Sequence, residues 1–216
     1  MTFQKIPLRI DLHVHTKRYS ACAEFMGPFE IDASCREAGI DAVVFTDHDW
    51  LWTEAEISEV RARSQGTRFF RGIECSADGC HIILIGLEDA AHLRRGMPPG
   101  KVIDIAHGQG AVAILAHPFR DTDPFALPLE EFDAIEVDST SFVSGDPKLA
   151  FHLARSLDKP TVASSDAHAL SRLGWAWTEF DTEPADEKEL AELVHQGRGR
   201  PVLHPQDLPA PVRSGR

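Results

Sequence analysis

The sequence predicts an α/β protein: a single domain of strand–helix units whose strands close into a parallel barrel. Two observations carry this. Short β-rich runs alternate with helical stretches along most of the chain, and they give seven or eight strands, a number that suits a barrel better than a short open sheet.

Leu8 to Val14 (LRIDLHV) alternates apolar and polar residues and reads as a strand. Phe29 to Ala38 reads as a helix closed by Gly39. Asp41 to Thr46 is a strand with a continuous apolar run. Thr53 to Ser64 is a helix opened by a capping box, Thr53 as N-cap with Glu56 three residues on. Strands follow at Thr67–Ile73 and Cys80–Leu87, then a helix over Lys101–His107. Next come strands Ala111–Ala116 and Ala134–Val137, helix Pro147–Leu157 behind an Asp146 N-cap, and strand Thr161–Ser164. Strand Trp175–Phe180, helix Glu187–His195 and a short strand at Arg200–Leu203 complete the set. The barrel domain is expected over residues 1–204. The stretch 205–216, with three prolines, is expected to be a mobile tail.

Composition narrows the function. Apolar residues make up 43% and charged residues 26% of 216, which excludes wholesale disorder. No apolar run is long enough to span a membrane, and the N-terminus lacks a signal-peptide pattern. Cys22, Cys35, Cys75 and Cys80 form no CxxC pair, so reduced thiols and a cytoplasmic location are expected. A net charge of −12 argues against duplex nucleic acid or anionic lipid as a partner.

The 11 histidines and 34 carboxylates are where the chemistry lies. His13 and His15 are two apart on a strand and face one way, as a metal pair would. Standing alone, an HxH is as well explained by two surface histidines. However, Thr46-Asp47-His48-Asp49, Gly72-Ile73-Glu74, His117 and Asp166-x-His168 also follow strands directly, and His81 starts one. Carboxyl ends of parallel barrel strands converge on one mouth, where active sites are built. His13, His15, His48, Glu74, His81, His117, Asp166 and His168 exceed what one ion takes, so at least two ions are implied. Imidazole and carboxylate ligands suit Mn, Zn or Fe, and paired cations suit hydrolysis.

In order and spacing, DLHVHT (11–16), TDHD (46–49), GIE (72–74), CHIILIG (80–86), AHP (116–118) and SDAH (165–168) resemble the PHP family, the polymerase and histidinol phosphatase domain. The resemblance implies a distorted (βα)7 TIM-like barrel and phosphoester hydrolysis by a metal-activated hydroxide. It implies one ion on His13, His15, Glu74 and Asp166, with Glu74 bridging to a second on His81 and His117. A third ion in the family would use the residues matching His48 and His168 and an acidic or histidine residue after the first motif. That position falls here on Ser20 or Ala21, so the third ligand set is incomplete. His48 and His168 then either hold an ion with water or Glu24, or meet the substrate phosphate and supply the general acid. Arg120 is a candidate phosphate clamp, as are Arg172, Lys17 and Arg18; a solvated loop charge is the alternative for each arginine, and for Arg172 the two readings weigh equally. The substrate implied is a small phosphorylated molecule, nucleotide or short oligonucleotide. A metal-dependent amidohydrolase-like enzyme and a non-catalytic metal-binding protein are the alternatives.

Asp47 is expected to orient an imidazole from behind the ligands. Glu136 and Asp138 are open between that role and a solvated strand end. Trp50 and Trp52 are open between an aromatic wall for the substrate and a cover over the mouth. His92, His107, His152, His195 and His204 read as helix or surface histidines.

Overall fold

The computed structural model describes residues 6–23, 25–120, 123–138 and 147–203. Glu24, Asp146, His204 and the stretch 205–216 lie outside them. Nine strands form one sheet: β1 (Leu8–Val14), β2 (Ala42–Phe45), β3 (Arg68–Ala77), β4 (Cys80–Ile85), β5 (Val112–Leu115), β6 (Ala134–Asp138), β7 (Thr161–Ala163), β8 (Ala176–Phe180) and β9 (Gly199–Leu203). The α-helices are α1 (Pro28–Ala38), α2 (Glu54–Arg63), α3 (Pro99–Gly108), α4 (Pro147–Ser156) and α5 (Glu187–His195). The capping box at Thr53 and Glu56 is formed.

The strand order is β7-β6-β5-β4-β3-β2-β1-β8-β9. Both ends of the sheet meet, since β7 packs beside β8 and β9. Thr178 of β8 ties that seam: its hydroxyl accepts from the Ala163 N–H at 3.0 Å and donates to the Ala163 carbonyl at 2.8 Å. The barrel is not uniformly parallel. Pairs β1/β2, β2/β3, β5/β6 and β6/β7 are parallel, whereas β4 runs antiparallel to both β3 and β5, and β8 runs antiparallel to β1 and β9. The reversal comes from Asp78-Gly79, a two-residue turn with Gly79 at φ 78°, which folds β3 directly back into β4. His81 begins β4, and because β4 runs backwards its beginning lies at the mouth beside the ends of the other strands.

Three apolar cores surround this sheet. Ile10, Leu12, Val44, Phe70, Ile83 and Ile114 fill the barrel interior, and Leu190 and Val194 of α5 join them from the closed end. α3 and α4 cover β3–β6 outside, through Val102, Ala106 and Leu153 on Leu84 and Ile135. α1 and α2 cover the other flank, through Ile31 and Ile57 on Val43 and Phe45. Gly72 is required by this packing: a Cβ there would stand 2.8 Å from Val44 Cγ1 and 2.9 Å from the Leu84 carbonyl oxygen.

The interior is apolar at one end and polar at the other, and β1 shows how. Ile10 and Leu12 belong to the interior core, but Val14 belongs to the outer one. The alternation therefore changes phase near residue 13, where the β1/β2 register shifts. The bulge turns His13 and His15 inward, while Asp11 is left out of the ligand cluster.

Candidate metal centre

At the mouth, Glu74 is fully buried and five imidazoles converge on it. Its Oε1 lies 2.8 Å from His81 Nδ1, 2.9 Å from His117 Nε2 and 3.4 Å from His13 Nε2. Its Oε2 lies 2.8 Å from His48 Nδ1 and 3.3 Å from His15 Nε2. Asp166 Oδ1 stands 3.3 Å from His13 Nε2 and 3.1 Å from His15 Nε2. His168 completes the group, its ring 4.1 Å from that of His15. All eight residues named from the sequence thus meet in one place.

The donor set fits divalent cations. His13 Nε2 and His15 Nε2 face each other at 3.1 Å, a repulsive contact for two lone pairs unless positive charge lies beside it. Glu74 Oε2 and His48 Nδ1 are buried and make no well-aligned hydrogen bond despite their proximity. Ligands about 2.1 Å from a shared centre stand roughly 3.3 Å apart, the spacing found among His13, His15, Glu74 and Asp166. Four overlapping groups have donor atoms within 4.8 Å: His13/His15/Glu74, His13/His117/Asp166, His48/Glu74/His81 and His15/His48/His168. Glu74 belongs to two of them, as a bridging carboxylate would.

Electrostatics follow the same pattern. Burial works to lower the His13 pKa, but Asp166, Glu74 and Glu136 outweigh it and hold it well above its usual value. Burial pushes His15 down to about 4. Burial would raise Glu74 and Asp166, but the neighbouring imidazoles, His13 foremost, hold both below the carboxylate range. The backbone is strained here too. Asp49, His117, Phe119 and Asp166 take φ values of 54°, 27°, 72° and 47°, four of the five non-glycine residues with positive φ among those described.

Buried polar groups behind the ligands fix their aim. Glu136 is fully buried and accepts from His13 Nδ1 at 3.2 Å, from the His117 N–H at 2.7 Å and from the Ser164 hydroxyl. Asp47 accepts from the Thr16 N–H (2.7 Å), the Thr16 hydroxyl (2.6 Å), the Ser20 hydroxyl (2.6 Å) and Trp52 Nε1 (2.8 Å). Ser20, near the position where the resemblance expects a ligand, is a link: its oxygen lies 3.2 Å from His15 Nδ1 and accepts from the His48 N–H at 3.2 Å. Asp11 accepts from the Ser165 N–H at 2.9 Å and so holds the turn that presents Asp166. Burial raises its pKa to about 7.

Arg120 donates to Asp166 Oδ2 at 2.6 Å and lines a cavity of about 660 Å³ with Cys22, His48, Cys80, His81, His117 and His168. Two of the other cationic candidates are engaged elsewhere. Arg18 bonds Glu56 at 2.7 Å and covers Trp52, and Arg172 stacks on Trp175. Trp52 is buried in the wall, whereas Trp50 is 45% exposed and stacks on Tyr19. His107 and His195 lie at the opposite end of the barrel, each 2.9 Å from Asp133.

A sequence profile described as PHP-associated matches residues 148–198. In shape, the chain is similar to a two-domain Bacteroides vulgatus protein that contains a predicted PHP-like metal-dependent phosphoesterase, with a TM-score of 0.72 and 17% identity over 92% of this chain. At this identity the likeness is one of fold. The chain spans 65% of the length of that two-domain relative. The chain is also similar in shape to endonuclease Q in complex with a 27-mer duplex carrying an abasic lesion at the active site, with a TM-score of 0.63 and 17% identity, covering 91% of this chain and 58% of that one. In sequence, an uncharacterized Methanocaldococcus jannaschii protein, MJ1587, is 27% identical over 121 residues, 52% of this chain and 68% of its own length.

The expectation that duplex nucleic acid is excluded as a partner is overturned by endonuclease Q, a similar fold with duplex DNA bound. Net charge averages over the whole surface, while fields are screened within about 8–10 Å in physiological salt. The field at the mouth is therefore set by the groups that line it and not by the net charge of the whole chain. Among the described residues, no helix is long and apolar enough to cross a membrane.

Proposed function

We propose that this chain is a PHP domain and a metal-dependent phosphoesterase acting on a phosphomonoester or a small nucleotide or oligonucleotide phosphoester. The observation that carries the reading is the convergence of five imidazoles on the buried, two-sided Glu74, with Arg120 on the wall of the same cavity. His13, His15, Glu74 and Asp166 would hold one ion, Glu74 with His81 and His117 a second, and His48 with His168 would face the substrate or a further ion. Bound Mn, Zn or Fe would supply Lewis acidity to the phosphoryl oxygens and activate water near neutral pH.

The chain's own residues do the rest. Asp166 anchors Arg120 at the cavity wall, where the guanidinium presents donors and positive charge to phosphoryl oxygens. His168 Nδ1 donates to the Asp166 carbonyl at 2.9 Å, which leaves Nε2 for the substrate side. In the absence of an ion at that position, it is suited to protonate a leaving oxygen. Glu136 on His13 and Ser20 on His15 keep those two rings from rotating; Asp47, expected to orient an imidazole itself, touches none and instead holds Ser20 in place. The four unpaired thiols suit a reducing compartment such as the cytoplasm.

The test is elemental analysis and phosphate release on one preparation. The substrate panel should hold phosphomonoesters, 3′- and 5′-nucleotides, oligonucleotides and duplex DNA. About two equivalents of transition metal and Mn-stimulated hydrolysis, lost in His15→Ala, are expected. Bound metal with no phosphoester cleaved would overturn the reading.

A further inference from the structure

Of the six large apolar side chains that stand exposed among the described residues, only Ile6 precedes β1, at the closed end of the barrel. The other five, Phe25, Phe29, Trp50, Phe125 and Leu149, lie on segments that leave the carboxyl ends of strands, the end that carries the ligand cluster. Four of these five are aromatic. Large rings are ordinarily buried, and a group of them exposed on one face marks a surface that meets a partner.

Three of the rings stand next to the cavity over the ligands, each on a different loop. Phe25 lies three residues beyond Cys22, Trp50 two beyond His48 and Phe125 five beyond Arg120, and Cys22, His48 and Arg120 all line that cavity. The loops leave β1, β2 and β5, with the β3–β4 hairpin between the last two. Trp50 is backed by Tyr19, with ring planes 23° apart, and Tyr19 is itself bonded to Glu56. Phe125 sits in the short turn Pro124–Ala126, where its N–H donates to the Asp123 carboxylate at 3.1 Å, and its ring meets that of Phe119 at 6.2 Å. Phe119 holds its left-handed φ of 72° directly before Arg120, a conformation that a bulky residue adopts only under outside constraint. Phe25 and Phe125 are 77% and 75% exposed, so their faces are open to solvent.

A flat ring with one open face is a stacking platform, and nucleobases suit it because every base has a π-face. A protein partner suits it less. The rings form no contiguous patch but stand on separate loops around a polar cavity of about 660 Å³, which a flat apolar interface would leave unfilled. We infer that Phe25, Trp50 and Phe125 stack the unstacked bases of a nucleic-acid strand whose backbone crosses the ligand cluster. The substrate is then an oligonucleotide and not a small phosphomonoester. This inference rests on the proposed phosphoesterase reading for what the backbone meets, and on the rings alone for what the bases meet.

Fluorescence anisotropy tests it with the chain as isolated and a labelled thymidine strand of about twelve nucleotides, its links phosphorothioate so that it resists cleavage. A comparison strand keeps every link and lacks the bases. The thymidine strand should bind and the abasic strand should bind at least about tenfold more weakly. Phe25→Ala, Trp50→Ala and Phe125→Ala should each weaken binding roughly 5–100-fold. Phe125→Leu, which keeps apolar bulk and loses the flat face, should weaken it too, whereas Phe125→Trp should retain it. Circular dichroism confirms that each variant is folded. Equal affinity for the two strands, or native affinity in Phe125→Leu, overturns the inference. So does self-association in sedimentation that is lost in Phe25→Ala and Phe125→Ala, which assigns the face to a second copy of the chain. Phosphate release from p-nitrophenyl phosphate, assayed on the same preparation, separates the two readings. Hydrolysis without base-dependent binding overturns the stacking role alone, and base-dependent binding without hydrolysis of any phosphoester supports the stacking role and overturns the proposed reaction.

Discussion

Glu136 touches His13 and His117 from behind, and its value lies in what it prevents. A metal-ligating imidazole must hold one tautomer and one ring angle, and the Glu136 carboxylate sets both for His13 through Nδ1. It also holds the N–H of His117, whose φ of 27° puts that residue in a conformation needing outside support. Glu136→Gln keeps the shape and removes the charge. Metal affinity measured by calorimetric titration is expected to fall about 10–100-fold with an unchanged circular dichroism spectrum, and Glu136→Asp to recover part of it. Unaltered affinity in Glu136→Gln would show that the residue only fills space. The ligands themselves were legible because each sits in a short motif next to a strand end. Glu136 was not, because its partner His13 lies 123 residues away and the alternation in AIEVD does not tell a buried strand end from a wet one. Ser20 was legible only as a poor ligand; its role depends on Asp47 and His48, which arrive from the next strand.

Among the elements, α2 was the easiest to read and gives the clearest acid response. Burial works to raise the pKa of Glu56, but hydrogen bonds from Tyr19, the Thr53 N–H and the Thr53 hydroxyl, with the charge of Arg18, hold it at about 2 against an ordinary 4.5. A folded pKa below the unfolded one stabilises the protein above the unfolded value, and that stability is lost as pH falls toward the folded value. The difference in melting temperature between the native chain and Glu56→Gln should therefore stay level from neutral pH to about 5. It should shrink between about 4.5 and 2. A difference independent of pH across that window would mean that the carboxylate's charge is irrelevant to the cap. The β3–β4 hairpin was harder to see. The strand was expected to stop at Ile73 but runs on to Ala77, because Asp78-Gly79 between two apolar runs makes a tight antiparallel turn. Read as a hairpin signal, that dipeptide explains why His81 starts its strand whereas the other ligands follow theirs.

At the scale of the molecule, the ligand cluster is a concentration of buried polar groups laid over an apolar interior. Six of its members, His13, His15, Glu74, His117, Asp166 and the supporting Glu136, are buried. Ions that bind only the folded chain add directly to its stability. Chelation followed by calorimetry is expected to lower the melting temperature by roughly 5–10 °C, the effect of a ligand at about a hundred times its dissociation constant on a chain of this size, with recovery on adding Mn or Zn. No shift would place the ions outside the folding equilibrium. The barrel was legible because strand–helix alternation is a local pattern. The reversed β4 and the seam at Thr178 were not, since strand direction and closure depend on partners far along the chain.

The Asp78-Gly79 turn also leaves room for change. Nothing lies within 4 Å of where a Gly79 side chain would begin, and Gly79 borders the cavity over the ligands. Six paired positions, from Gly72↔Ile85 to Ala77↔Cys80, hold the two strands that carry Glu74 and His81 regardless of what joins them. Lengthening the join costs little, only about 0.6 kcal/mol for each doubling of a flexible loop. The same barrel can thus be given a taller or shorter rim over its chemistry by insertion at one point, a graft site at which descendants or designers can change which molecules enter.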